Sequence, residues 1–263
     1  MTGRPIVAAT PNAGVECPRR HHTRKDHHTR KDHHTVSNAQ HTYATWHADA
    51  AREPAMEESH RPLWQHFIRT IPETDLSTRQ VLDFGCNRGG FLRLLHAIKP
   101  YRSALGIDIA ADSIAAARAL VGVAPIGYEV ATDLSAWPDR FDLAFSYEVI
   151  YLLPDLAAHA AGIRATLRAG GVYYAVTGCH TDSPLWPHFR RVIAETTNAP
   201  VQDRSPDDYA ACFAEAGFEV SLRRFGYDGF VPATKDRRYY PKLTDALDYA
   251  THDKLMFRMV KHG

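Results

Sequence analysis

From residue 79 onward the chain alternates between two spacings of apolar side chains. Short runs at 79–84, 103–108, 126–131, 141–146 and 171–177 are rich in branched and aromatic residues, and they have the length of strands buried on both faces. Between them, 89–98, 112–120 and 155–168 space their apolar residues three and four apart, the period of a helix. Asp112 is the expected cap of the second of these helices, and Gly170-Gly171 the stop of the third. Strands alternating with helices predict right-handed βαβ units on a parallel sheet, so the fold class is α/β, doubly wound. Upstream, Leu63, Trp64, Phe67, Ile68 and Ile71 predict a helix that Pro72 ends. Segment 178–217 breaks the rhythm as an insertion beside the carboxyl end of the fifth strand, and it carries a helix capped at Ser205. Two late strands, within 218–227 and 252–261, extend the sheet as a hairpin-like pair joined by the aromatic-rich connection 228–252.

Ahead of this pattern lies "HHTRKDHHTRKDHHT", residues 21–35, two copies of a hexamer and half of a third. Paired imidazoles are metal ligands, but a hexamer with no large apolar residue has nothing to bury. Residues 1–38 therefore read as a disordered, histidine-rich appendage with no assigned metal, and 39–263 as the folded domain. Composition changes the picture little. A formal charge of +1 and 23% charged residues give no general attraction to nucleic acid or anionic membrane. The longest apolar runs are strand-sized, and the N-terminus lacks a secretory core. A cytoplasmic location is expected. Cys17, Cys86, Cys179 and Cys212 are too scattered for a zinc knuckle or redox pair, and read as reduced thiols.

Chemistry concentrates at the carboxyl ends of the strands, where open α/β sheets bind ligands. "VLDFGCNRGG", 81–90, is a strand entering a glycine turn. A dinucleotide turn has glycine at its first, third and sixth positions, here Gly85, Asn87 and Gly90. The middle glycine is missing, and Asp83 stands where a pyrophosphate would pass. That carboxylate suits a ligand with a ribose and adenine but a cationic end, such as a sulfonium or an α-ammonium group. The second strand ends at Asp108, the third leads to Asp133, and the fourth runs into "SYEVIYLLPD". Singly, Asp108 reads equally as a turn cap and Asp133 as a loop carboxylate.

In this order, "VLDFGCNRGGFLRLL", "LGIDIA", "ATDLSAWPDRFDLAFSYEVIYLLPD" and "LRAGGVYYAVTG" resemble the motifs of the class I S-adenosylmethionine-dependent methyltransferases. The resemblance spans about 79–178 well and 206–261 in outline. It implies a Rossmann-like seven-stranded sheet of order 3-2-1-4-5-7-6 with the last strand antiparallel, and S-adenosylmethionine as cofactor. It also implies that Asp83, Gly85, Cys86, Asn87 and Gly89 shape the methionine and ribose pocket and that Asp108 binds the ribose. Ile109 would pack on adenine, Asp133 and Leu134 would read its amine, and Tyr147 would border the pocket. The departure is Asn87, where the family has glycine.

Methyl transfer needs alignment and, for some acceptors, a proton acceptor. The candidates are Tyr147, Glu148 and Tyr151 after the fourth strand and His180 after the fifth, with His188 farther into the insertion. Trp186, Phe189, Phe230, Tyr239 and Tyr240 are candidates for a cover over the acceptor, and Tyr43 and Trp46 for an N-terminal helical lid over about 39–72. A small-molecule acceptor of a methyl group at oxygen or nitrogen is the leading expectation. The alternatives are a tRNA or protein methyltransferase using "KDRRYYPK", 235–242, a nicotinamide-dependent oxidoreductase, and an inactive cofactor-binding scaffold. The fourth-strand loop lacks the D-P-P-Y pattern of base amino-methylation, and nucleic acid is not the expected partner.

Overall fold

Strands β1 (Leu76–Phe84), β2 (Tyr101–Asp108), β3 (Ile126–Val130), β4 (Phe141–Tyr147), β5 (Leu167–Thr177), β6 (Phe218–Arg224) and β7 (Leu255–Lys261) form one sheet of order β3-β2-β1-β4-β5-β7-β6. The computed structural model describes residues 44–197, 199–234 and 236–263. The histidine repeat, Cys17 and Tyr43 lie outside the described residues. β1 to β5 pair in parallel, and β7 is antiparallel to both β5 and β6. This is the Rossmann-like order that the resemblance implies.

Alternate residues of each strand serve opposite faces, and here both faces are covered. On one, Val81, Leu143, Phe145, Val172 and Tyr174 join a core with Phe67 and Ile68 of α1 (Glu53–Thr70), Leu92 and Leu95 of α2 (Gly90–Ile98), and Ile114 and Ala117 of α3 (Ala111–Leu120). On the other, Phe84 meets His159 of α4 (Leu156–Thr166), and Tyr173 and Phe257 meet Phe213 and Tyr209 of α6 (Pro206–Glu215). His159 is buried, and desolvation lowers its pKa to about 3, so it is a neutral core group. The insertion contributes α5 (Trp186–Thr196) and α6, the latter opened by a capping box between Ser205 and Asp208. A short α7 (Leu243–Asp248) and a π turn, Tyr249–Asp253, lead into β7. No helix among the described residues is long and apolar enough to cross a membrane.

Two predicted boundaries move. The helix expected at 155–168 stops at Thr166, because Leu167 already pairs with Phe141 as the first residue of β5. Gly170, at φ +75°, takes up the register irregularity before Leu143 meets Val172. Asp112 is not a cap: Ala110 stands at the N-cap and Asp112 lies in the first helical turn. The side chain that satisfies this helix entrance is Asp108, whose Oδ1 accepts from Ala110 N at 2.8 Å.

Candidate active site

The turn after β1 is built on left-handed backbone. Gly85, Asn87 and Gly89 have φ of +76°, +46° and +72°, a region open to glycine and, among other residues, most readily to Asn and Asp. The turn folds back onto β2, with Gly85 N and Cys86 N both donating to Ile107 O at 2.8 and 3.0 Å. Close packing leaves no room for larger residues: a Cβ on Gly85 would lie 2.5 Å from a Val149 methyl, and one on Gly89 would lie 2.3 Å from the Tyr128 hydroxyl oxygen. Cys86 is buried with its thiol pushed up by desolvation and by Asp83 and Asp108, so it is an inert packing group.

Two carboxyl groups converge beneath this turn. Asp83 is 3% exposed, no described side-chain hydrogen bond reaches it, and burial with the nearby Asp108 charge raises its pKa to about 8. Asp108 is raised by burial too, opposed by backbone donors from Ala110 and Asn87, the latter giving Oδ2 a bond of 2.8 Å. Ile109 beside it is half-buried. Asp133 behaves differently. It is exposed, and both its oxygens accept from Ser135, whose bonds hold its carboxyl below the usual range. Leu134 is buried at the surface of Gly162 in α4. Next to them the Thr132 hydroxyl is buried without a partner among the described residues, and no motif in the sequence singles it out.

The carboxyl end of β4 holds a second constellation. Glu148 has φ +58°, an unfavourable conformation for a residue of its kind. Its Oε1 accepts from Tyr249 (2.8 Å) and pairs with Lys254 Nζ (2.7 Å), while Oε2 accepts from the Thr177 hydroxyl (2.9 Å). Lys254 is 2% exposed, lies over the Tyr147 and Tyr249 rings, and donates to the Tyr147 hydroxyl at 2.7 Å. Burial alone would push its ammonium down, yet the Glu148 carboxylate and the tyrosines hold it above the ordinary lysine range. Tyr147 is pushed up to about 12 by burial, with Lys254 opposing. Glu148 is therefore spoken for by an internal cation. Lys254 itself escaped notice because a lysine opening a strand reads as exposed.

Tyr151 is buried with its ring against Trp186. His180 is 5% exposed, and its Nε2 faces Asp253 O at 2.7 Å. A carbonyl only accepts, so Nε2 carries a proton, and in the neutral ring Nδ1, buried with no partner among the described residues, holds the lone pair. His188 Nε2 faces Arg238 O near the surface. From above, α1 brings His60 and Trp64 against Tyr147, at centroid distances of 5.3 and 6.3 Å, and the Trp64 indole N–H is buried without an acceptor among the described residues. Of the expected cover, Trp186 and Phe189 are core, Tyr239 and Tyr240 pack on Phe189, and Phe230 is 99% exposed.

A family model for a methyltransferase domain matches residues 56–222, which include this turn, both carboxylates and the β4 and β5 ends. The chain is a class I S-adenosylmethionine-dependent methyltransferase. No curated protein matches the methyltransferase by sequence. Solved structures share its fold. One is a Haloferax volcanii methyltransferase in complex with the Trm112 activator, 20% identical at a TM-score of 0.69, covering 81% of this chain and 94% of that one. Another is a Mesorhizobium loti S-adenosylmethionine-dependent methyltransferase, 20% identical at 0.54, covering 77% and 98%. A third is Haemonchus contortus phosphoethanolamine N-methyltransferase 2 in complex with S-adenosyl-L-methionine, 16% identical at 0.57, covering 76% and 52%.

Proposed function

We propose that this methyltransferase transfers the methyl group of S-adenosylmethionine to an oxygen or nitrogen of a small-molecule acceptor. The residues at the β1 turn fit the cofactor. Asp83 is a buried carboxyl with no hydrogen-bond partner among the described residues, in a place where a cationic ligand would replace its proton. The left-handed turn presents backbone without side chains at Gly85 and Gly89. Asp108, half-buried at the end of β2, would take the ribose hydroxyls. On the adenine side, Ile109 and the unpaired Thr132 hydroxyl are better placed to contribute than Asp133, whose oxygens are used locally. The cofactor supplies an electrophilic methyl on a sulfonium, and the chain has to align an acceptor with it and exclude water.

The observation that carries the acceptor class is the closure of α1 over the end of β4. His60, Trp64 and Tyr147 make an aromatic enclosure with one orphaned N–H. Such a donor suits an oxygen of a bound small molecule, and a buried unpaired N–H otherwise costs about 1–3 kcal/mol. His180 is the proton acceptor in this reading: its tautomer leaves Nδ1 free to accept. Glu148 and Tyr151 serve as supports.

The nucleic-acid alternative loses ground at 236–240. Arg52 and Arg238 are both paired with Asp236, Tyr239 bonds the Thr196 hydroxyl, and Tyr240 packs on Tyr249, so neither aromatic ring is offered to a base. The deciding experiment incubates the full chain with S-adenosylmethionine and panels of phenols, amines and carboxylic acids, and follows formation of S-adenosylhomocysteine. Turnover on a small acceptor that His180→Gln lowers by about 100-fold or more, with cofactor affinity unchanged, supports the proposal. Salt-sensitive binding and methylation of RNA, with no small-molecule turnover, sinks it.

A further inference from the structure

Asn87, the departure from the glycine expected in its family, uses its backbone N–H and its side chain to reach two different parts of the molecule. Its backbone N–H donates to Asp108 Oδ2 at 2.8 Å, and its side-chain Oδ1 accepts from Arg88 N at 2.6 Å. Its Nδ2 donates to Glu53 Oε2 at 2.7 Å. Glu53 is the first residue of α1 and is only 2% exposed. Its other oxygen accepts from His47 N at 2.7 Å and lies 3.2 Å from His47 Nδ1. Burial alone would raise the Glu53 pKa, but the donors from His47 and Asn87 hold it below the usual carboxylate range, so the buried group stays ionised. One turn further along α1, Glu57 pairs with Arg93 (2.5 Å) and Arg88 (3.4 Å), which ties the same helix face to the start of α2.

We infer that Asn87 and Glu53 form a clasp that fastens the segment 44–58 onto the cofactor turn, with Glu53 as a positioning residue for S-adenosylmethionine binding. A glycine at position 87 would satisfy the backbone angle of +46° equally well. What the asparagine adds is the side-chain bond to α1. Because its backbone N–H holds Asp108 at the same time, a ligand on Asp108 and the closure of α1 act on a single residue. The cost of burying the Glu53 charge is met only while Asn87 and His47 both donate to it. The inference rests on the reading of this turn as the cofactor loop.

The test is Asn87→Gly, which keeps the turn's backbone conformation available and removes only the clasp. It is compared with Glu53→Ala, Glu53→Gln and the Asn87→Gly/Glu53→Ala double variant in the full chain. S-adenosylmethionine affinity and dissociation rate are measured by calorimetry and stopped-flow tryptophan fluorescence, and amide hydrogen exchange is followed over 44–58 without ligand. The clasp predicts that Asn87→Gly speeds dissociation about tenfold or more and raises exchange at 44–58, although it lies 34 residues from Glu53. The double variant is then no worse than Glu53→Ala alone, and Glu53→Gln, which keeps an acceptor, recovers part of the loss. Wild-type dissociation and exchange in Asn87→Gly, or fully additive effects in the double variant, would overturn it. Absence of S-adenosylmethionine binding by the wild type would instead remove the cofactor-loop reading beneath it.

Discussion

Asp83 is a buried carboxyl without a described hydrogen-bond partner, and its pKa near 8 in the fold exceeds its ordinary value of 3.8. Between those two values the folded protein holds a proton that the unfolded chain has released, so this residue lowers stability as pH rises from about 4 to about 8. Asp83→Asn removes that dependence. The variant should match wild type in melting temperature near pH 4 and gain on it steadily towards pH 8, as thermal scans across that range would show. Its S-adenosylmethionine affinity should nevertheless fall, because the amide cannot meet a cationic ligand with a charge. In the wild type, cofactor binding near pH 7 should release a proton, measurable as a buffer-dependent binding enthalpy; an enthalpy independent of buffer ionisation would contradict this role. The meeting of Asp83 and Asp108 at the first turn was legible in the sequence, because each stands at the carboxyl end of a neighbouring strand. The local bonds from Ser135 to both Asp133 oxygens were not. Lys254 was not, since nothing along the chain announces that Glu148, over a hundred residues earlier, will neutralise it.

At the scale of elements, α1 has two parts. Its second half is core: Phe67 is fully buried and its ring lies 5.5 Å from Phe91 and 5.7 Å from Phe145. Its first half lies at the carboxyl edge, where His60 and Trp64 meet the Tyr147 ring. Phe67→Ala should cost about 3–5 kcal/mol in denaturant unfolding, whereas Trp64→Phe, which keeps an aromatic ring and loses the orphaned N–H, should spare the fold and act on acceptor KM. Lys254→Met leaves Glu148 as a buried charge and should cost about 3–5 kcal/mol; a variant with Glu148→Gln in addition should recover part of it. Equal stability of Lys254→Met and wild type would show that the pair is not what holds this loop. The β5 start was misread for a reason of the same scale. "ATLRAGG" has good helix formers, and only the pairing of Leu167 with Phe141 takes them into the sheet.

Across the whole molecule, the succession of strands and helices along the chain followed from periodicity, because a parallel sheet covered on both faces leaves continuous apolar runs, whereas their order within the sheet came from the family resemblance. What periodicity does not carry is the closure of α1 onto the first turn, which depends on contacts between residues 31 or more apart. Residues 1–38, read from composition as an appendage, should be dispensable: a chain starting at residue 39 should keep the melting temperature and cofactor affinity of the full chain, and a large loss of either would show that the repeat has a part in folding or binding. The most direct test of the account is calorimetric titration of S-adenosylmethionine, S-adenosylhomocysteine and NADH into wild type and Asp108→Asn. The account predicts saturable binding of both sulfur nucleosides, none of NADH, and a loss of about 10- to 100-fold in the variant, the effect of a hydrogen bond to a charged group. Binding of NADH instead, or sulfur-nucleoside affinity indifferent to Asp108, would contradict it.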